Sequence, residues 1–426
     1  FGSRDILAQV RWHLCSTAWL QEWPVASMSV AGKEYWIVAS KSSKLQNRDT
    51  QFTLLKSRIG DRLCEEGSPP AKFDVPEGEN SLKFGSFDNL IRLTDELQKY
   101  DSQVESILRR LERQSLEIDP ACEFKVHFNR SKMPFQKYIT TWTWDDAKFP
   151  KSRGLSDNLA LLLTVVNKLD EEARLKSTAY NELKTQKGAI GKKAEGATLL
   201  TKDLVDVLTP SVVNMTGGVD DDFIMTEHIT TVVVIVPRGA EAEFLKTYES
   251  MQENVVPQSA KKFKGLDDKD GNSIWRVLMF KSAVESFKKA SRDLRFTARD
   301  FVYSEEGYKK LMAQRAHIED ECTKQLSVLR SVCEASWSEV MVAWIHIKAM
   351  RVFVESVLRY GVPPQFAAFV IQPKATATPQ MRKALADIFG PQGAGGIEDK
   401  LADAADDGEE YYPYVSLSFT PFQAKI

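Results

Sequence analysis

The sequence predicts an α+β protein, elongated and bilobal, with two small mixed α/β domains joined by long helices. The central segment is inserted between the N- and C-terminal parts of the other domain. Three observations carry this expectation. Strand-like apolar runs occur near both chain ends and in the middle, at Tyr35–Val38, Thr230–Val236, Ile274–Phe280, Phe366–Gln372 and Tyr414–Phe419. Between them lie long stretches with apolar residues at three- and four-residue steps, the helical period. Pro150-Lys-Ser-Arg-Gly154 reads as a boundary between the first part and the segment after it.

The 426 residues suffice for two or three domains. The 57 Lys and Arg nearly balance the 59 Asp and Glu, a net charge of −2, which supplies no long-range field for nucleic acid. The longest apolar run, Val232–Val236, is far below the roughly 20 residues of a membrane span. The opening Phe1-Gly-Ser carries no recognisable signal peptide, and without Met it does not decide targeting. The cysteines Cys15, Cys64, Cys122, Cys322 and Cys333 are scattered, with no C-x-x-C pair. If helical, Cys322 and Cys333 stand about 16 Å apart along the axis, too far for a disulfide, so reduced thiols are expected.

Taken in order, a Trp-rich opening (Trp12, Trp19, Trp23) precedes the strand Tyr35–Val38 and a polar stretch, Lys41–Thr50. Gly67-Ser-Pro-Pro and Pro76-Glu-Gly-Glu-Asn form a loop-rich connection. Ser86 is placed to cap a long helix. In it Leu90, Leu93, Leu97, Tyr100, Val104, Ile107 and Leu111 keep strict three–four spacing, about 32 Å of coiled-coil-like seam. Residues 122–128 and Tyr138–Trp144 alternate as strands should.

A second seam runs through Leu159, Leu162, Val166, Leu169, Ala173, Tyr180 and Leu183. Gly188–Gly196 reads as a loop, Thr230–Val236 as a strand stopped by Pro237, and 241–251 as a helix. The turn dipeptide Asp270-Gly271 precedes the strand Ile274–Phe280. From Ser282 to Tyr360 the chain is helix-compatible, with a break over Phe296–Tyr303. Lys374–Glu410, rich in Ala, Gly and acid, reads as a mobile insertion around a short helix.

The tempting catalytic motifs fail on spacing. Gly188-Ala-Ile-Gly-Lys-Lys193 lacks the four residues between glycines, and the Ser or Thr after Lys, of a phosphate loop. Asp267–Ser273 has Leu266 and Val277 where a calcium loop needs ligands, so it is expected to be a solvated hairpin turn. The histidines His13, His127, His228, His317 and His346 are isolated, and His346 is expected to be structural. No metal or cofactor site is expected, and no enzyme.

The stretch Trp344–Phe366 is the most distinctive in the chain. Ala343, Ile347, Met350, Val354 and Val357 form one apolar stripe, and Arg351, Glu355 and Arg359 stand at successive i,i+4 steps on another face. Gly361 sits where a C-cap needs positive φ, and Pro363 and Pro364 stop the helix. As a pattern, W-I-H-x-K-A-x-R-V-F-V-E-S-V-L-R-Y-G-x-P resembles the signature of the C subunit of the V-type proton ATPase. Glu34–Ser40, Leu82–Leu90 with Asp95-Glu-Leu97, Tyr138–Pro150, Thr230–Pro237, Val255–Pro257, Arg292–Phe301 and Tyr412–Val415 resemble further motifs of that family, in its order. Ser86-Phe87 replaces the family's Thr-Leu, and Ala298 stands where Val is usual.

The resemblance implies a non-catalytic stator subunit of the cytosolic V1 sector. Its foot would comprise residues 1–154 and 305–426 (with the insertion at 374–410), its neck 155–185 and 284–304, and its head 186–283. It implies partners too: E–G peripheral stalks, the cytosolic N-terminal domain of membrane subunit a, and possible actin or filament contacts. It further implies control of reversible assembly of V1 with the membrane sector, with the subunit on the cytoplasmic face of vacuolar or other endomembranes and in the cytosol when released. The matching signature positions are Trp36, Asp88, Trp144, Asp145, Lys148, Pro237, Trp344, His346, Lys348, Arg351, Phe353, Glu355, Arg359, Tyr360, Gly361 and Pro363. They are expected to be mainly architectural. Partner contact is expected first around Val256, Pro257, Lys261, Lys262 and Lys264. The rival readings are a cytoskeletal or vesicle-tethering helical scaffold, and an enzyme with a central nucleotide site.

Overall fold

The computed structural model describes residues 32–43, 47–194, 198–216, 221–390 and 412–422. Trp12, Trp19, Trp23, His13, Cys15 and residues 391–411 of the expected insertion lie outside them.

The apolar run after Glu34 forms β1 (Tyr35–Lys41). Asn47 caps α1 (Arg48–Arg58), its side-chain oxygen accepting the Thr50 N–H at 2.8 Å. Short pieces α2 (Gly60–Leu63) and β2 (Ala71–Lys72) come next. Ser86 then caps α3 (Phe87–Ile118), its Oγ accepting the Asn89 N–H at 3.4 Å. The hairpin β3 (Lys125–Phe128) and β4 (Ser131–Pro134) turns at Asn129 and Arg130, both at positive φ as a tight two-residue turn requires. After it stand α4 (Phe135–Thr140), α5 (Leu155–Ala194) and α6 (Leu204–Val207).

The middle continues with β5 (Ile229–Val236), α7 (Glu241–Thr247), β6 (Lys261–Lys262), β7 (Ser273–Phe280), α8 (Val284–Asp293) and β8 (Thr297–Arg299). The chain then enters the 56-residue α9 (Glu305–Tyr360) and closes with β9 (Phe366–Ile371), α10 (Thr378–Phe389) and β10 (Val415–Phe419).

Two compact units result, one of Phe1–Leu175 with Arg330–Ile426, the other of Lys176–Leu329. The first holds an antiparallel sheet of order β10-β1-β9-β2, in which Ile37 faces Leu417 on one side and Val370 on the other. Strand β1 is apolar from Tyr35 to Ala39 because both its faces are covered there. Tyr35, Ile37 and Ala39 join the core built with α3 and α9, while Trp36 and Val38 join Leu55 of α1 and Met381 and Leu385 of α10.

The second unit repeats the scheme with order β6-β7-β5-β8. Val232, Val234 and Val236 pack with Phe244 of α7 and Phe287 of α8; Val233 and Ile235 pack with Leu204 and Val207 of α6.

Several expectations change. The Leu90–Leu111 seam is no coiled coil, because α3 buries it in the first unit's core together with Leu108. The second seam is buried at Leu159, Leu162, Val166 and Ala173, but Tyr180 and Leu183 stay only half-buried. Tyr138–Trp144 is not a strand: α4 starts after Pro134, and its short turn buries Phe135, Tyr138 and Ile139 together. Gly188 and Gly191 do not open a loop, since α5 runs through both to Ala194. Residues 284–304 are not a returning neck helix; α8 ends at Asp293 and β8 pairs with β5 in the second unit's sheet. Of the expected mobile insertion, α10 is packed, with Met381, Leu385 and Ile388 buried.

Candidate functional site: the signature helix and the groups it holds

Helix α9 is buried on all sides over Val340–Ile347, where every residue is at most 4% exposed. The single stripe expected from its spacing is therefore too narrow a description. His346 shows what this burial does. Its Nε2 accepts the Asp145 N–H at 3.1 Å, and its Nδ1 lies 2.7 Å from the Val342 carbonyl oxygen, which can only accept. The proton therefore sits on Nδ1 and the ring is neutral. Burial, opposed by the Val342 hydrogen bond, pulls its pKa down to about 4. Trp142, Trp144 and Phe149 surround the ring at 5.3, 5.0 and 4.8 Å. Both nitrogens are occupied, so His346 has no free lone pair for a metal.

Asp145 organises the turn that reaches the ring. Its Oδ1 accepts the N–H groups of Ala147 (3.2 Å) and Lys148 (3.1 Å), and Lys148 Nζ meets Glu339 at 2.6 Å. Trp144 Nε1 donates to the Phe149 carbonyl at 2.7 Å. The Trp-Asp-Asp-Ala-Lys block and the Trp-Ile-His helix, some 200 residues apart in sequence, thus form one clasp.

One turn further along, Asp101 of α3 takes Lys348 Nζ at 2.7 Å and Arg351 Nη1 at 2.6 Å. Lys348 also stands over the Trp344 ring at 4.5 Å. Burial lowers the Lys348 pKa, against the pull of Asp101, and burial raises that of Glu355, 4.0 Å from Arg351. Arg359 donates to the Tyr412 carbonyl at 2.8 Å, and Tyr360 OH to the Ala39 carbonyl at 3.0 Å. Phe353 packs edge-on to Phe84 and Phe366. Gly361, at φ +85°, ends the helix with its N–H on the Val357 carbonyl, and Pro363 stands two residues on in a cis peptide.

Trp36 lies on the opposite face of the sheet, under the Arg382 guanidinium at 3.8 Å. Asp88 occupies the first turn of α3, where an acid suits the helix dipole. In the second unit the Pro237 carbonyl accepts the Ala240 N–H at 3.1 Å, turning the chain out of β5.

The expected contact region also lies in the second unit. Val256 N–H bonds the Leu278 carbonyl at 2.9 Å, and Pro257 and Lys264 are exposed. Lys261 and Lys262 are engaged internally, Lys261 with Asp222 (2.8 Å) and Lys262 with Glu241 (2.8 Å) and Asp267 (3.2 Å). Asp268 closes a turn on Asn272, its Oδ1 accepting the backbone N–H at 2.7 Å and its Oδ2 the side-chain amide at 2.8 Å, so Asp267–Ser273 is a hairpin connection.

Sequence reasoning missed Asp101, Glu339 and Arg382. Asp101 had a readable signal: an acid four residues after Leu97 and three before Val104, inside an apolar seam, needs a buried partner. Among the described residues no three His, Cys, Asp or Glu are grouped to hold a metal, and no helix is long and apolar enough to cross a membrane.

Comparison with known proteins gives a consistent result. The family model for the V-ATPase C subunit matches residues 35–415. The V-type proton ATPase C subunit 1-B of Danio rerio is 32% identical over 389 residues, covering 90% of this chain and 96% of its own. The V-type proton ATPase C subunit of Caenorhabditis elegans is 32% identical over 396 residues, covering 91% and 97%. The Mus musculus C subunit 1 is 31% identical over 390 residues, covering 90% and 96%. Among solved structures, the cytoplasmic N-terminal domain of subunit I, homolog of subunit a, of V-ATPase is matched at 11% identity. It covers 90% of this chain and 100% of that one with a TM-score of 0.28, an overlap too small to establish a common fold.

Proposed function

Because this chain belongs to the family of V-ATPase C subunits, we propose that it is a non-catalytic stator subunit of the V1 sector of a rotary proton pump. In this reading it bridges E–G peripheral stalks and the cytosolic N-terminal domain of subunit a, and its release and return control V1 assembly. The unit built from both chain ends acts as the foot, the strand-rich middle as the head, and the long stretches of α5 and α9 as the neck. The subunit works at the cytoplasmic face of an endomembrane and in the cytosol when released.

The observation that carries this reading is how the signature residues are used. Lys148, His346, Lys348 and Arg351 are each bound by a neighbour within the same unit. His346 and Lys348 in particular are buried packing and pairing groups, which suits a body that transmits force. A stiff body joining two moderate contacts gains effective concentration at each, and it detaches as a whole when one is lost.

The test is calorimetric titration of the purified full chain with a reconstituted E–G heterodimer. Stoichiometric binding is expected. A chain that is folded yet leaves E–G unbound while capturing filaments or tethering factors overturns the stator reading in favour of a scaffold.

A further inference from the structure

The first unit contains a cavity of about 260 Å³ that the signature does not use. It lies where the C-terminal turn of α3, the loop after it, the β3–β4 hairpin and α9 meet, and both Cys122 and Cys333 line it. Both are free thiols, from segments more than 200 residues apart. Several contacts bring them together. Arg330 pairs with Asp119, and the chain folds back at once, the Cys122 N–H bonding the Asp119 carbonyl at 3.0 Å. Glu334 takes Lys132 at 2.9 Å, and Ser338 Oγ accepts the His127 N–H at 2.7 Å. Arg330, Cys333 and Glu334 share one face of α9, being three and four residues apart. Cys333 therefore sits between two ion pairs whose far partners flank Cys122 in the chain. Cys333 is 1% exposed, whereas Cys122 is only half-buried and can be reached from solvent.

We propose that Cys122 and Cys333 are an oxidisable thiol pair, a modification site that closes to a disulfide under a peroxide and locks the α3–β3 loop onto α9. In the first step the Cys122 sulfur attacks hydrogen peroxide, giving the sulfenic acid and water. In the second the Cys333 sulfur attacks that sulfenic sulfur, forming the S–S bond and releasing a second water. Two thiols are oxidised and one peroxide is reduced. Cys122 reacts first because it is the accessible one, and Cys333 resolves it.

The surroundings set the rate. Burial, then Glu334 and Glu123, push the Cys122 thiol up; burial pushes Cys333 up to about 11. The thiolate is the nucleophile, so closure is slow at neutral pH and accelerates about tenfold per pH unit while both groups remain mostly protonated.

The test uses the full natural chain, treated with hydrogen peroxide at pH 7, 8 and 9, alkylated, digested without reductant and mapped by mass spectrometry. A Cys122–Cys333 linked peptide is expected, two hydrogens lighter than the separate peptides, forming about tenfold faster per pH unit and removed by dithiothreitol. Cys333→Ser should leave Cys122 as a sulfenic acid trapped by dimedone. Both thiols still alkylated after treatment, or Cys122 driven to sulfinic acid with Cys333 free, overturns the proposal. Because the readout needs no partner, it stands or falls apart from the stator reading.

Discussion

Lys348 of α9 meets Asp101 of α3 at 2.7 Å with both side chains almost wholly withdrawn from water, at 4% and 7% exposure. Taking two charges out of water is costly, and the pair persists because Arg351 also binds Asp101, at 2.6 Å. The pair fixes the register between α3 and α9, two helices that both pack into the first unit's core. Asp101→Ala leaves Lys348 buried without its carboxylate, and unfolding in urea should show a loss of about 3–5 kcal/mol. The double replacement Asp101→Leu with Lys348→Met should recover most of that. A double variant as unstable as the single would disprove the pairing argument.

His346 gives a pH dependence of defined sign. Its folded pKa, about 4, lies below its ordinary 6.5, so the unfolded chain takes up the proton first as pH falls. The stability tied to the neutral ring is fully present above pH 6.5 and is lost as pH falls toward 4, about 3 kcal/mol in all. Urea unfolding of the natural chain and of His346→Phe at pH 7.5 and 4.5 should show a smaller pH effect in the variant. Equal pH effects would rule out a neutral buried ring.

Arg382 lies between Trp36 (3.8 Å) and Tyr412 (4.5 Å) and donates to Ser416 Oγ at 2.6 Å. Arg382→Ala should cost about 1–2 kcal/mol in thermal or urea unfolding. Arg382→Lys should recover little, since an ammonium cannot stack as a planar guanidinium does. Full recovery by Lys would reduce the contact to simple charge.

Gly361 has φ +85° and open space where a Cβ would stand, so the cost of a side chain there is purely conformational. Gly361→Ala should destabilise by about 1–2 kcal/mol in urea unfolding, and Gly361→Asn by less.

Under the stator reading, Lys264, exposed beside two internally paired lysines, is the one to change. Lys264→Glu should slow association with E–G about three- to tenfold at low salt, with the difference shrinking as salt rises. An unchanged rate removes this region from the contact.

What the sequence made legible tracks the range of the interactions. Ser86, the α3 spacing, the β5 and β7 strands and the break before α9 are local, and local chemistry reveals them. Tyr138–Trp144 misled because alternating aromatics also suit a short helix with an extended piece after it. Gly188 and Gly191 misled because a long helix tolerates a glycine at about 1 kcal/mol each. The clasp between Asp145 and His346 and the pairing of Asp101 with Lys348 join segments far apart in the chain. No spacing rule reaches them, though an acid inside an apolar seam announces that a partner exists. Family resemblance marked His346 and Lys348 without saying what they hold.

The sheet order β10-β1-β9-β2 has a consequence for synthesis. Strand β1 ends at Lys41, yet its two hydrogen-bonded neighbours begin at Phe366 and Val415. At a translation rate of about 5–20 residues per second, β1 waits on the order of tens of seconds for either partner. The middle unit, Lys176–Leu329, is synthesised in full before either partner emerges. The nascent chain therefore carries an unpaired Tyr-Trp-Ile-Val edge through most of its elongation, a segment for chaperones to shield. Truncation before Val415 leaves β1 with an open side, so premature termination near the end should be as damaging to the first unit as loss of its beginning.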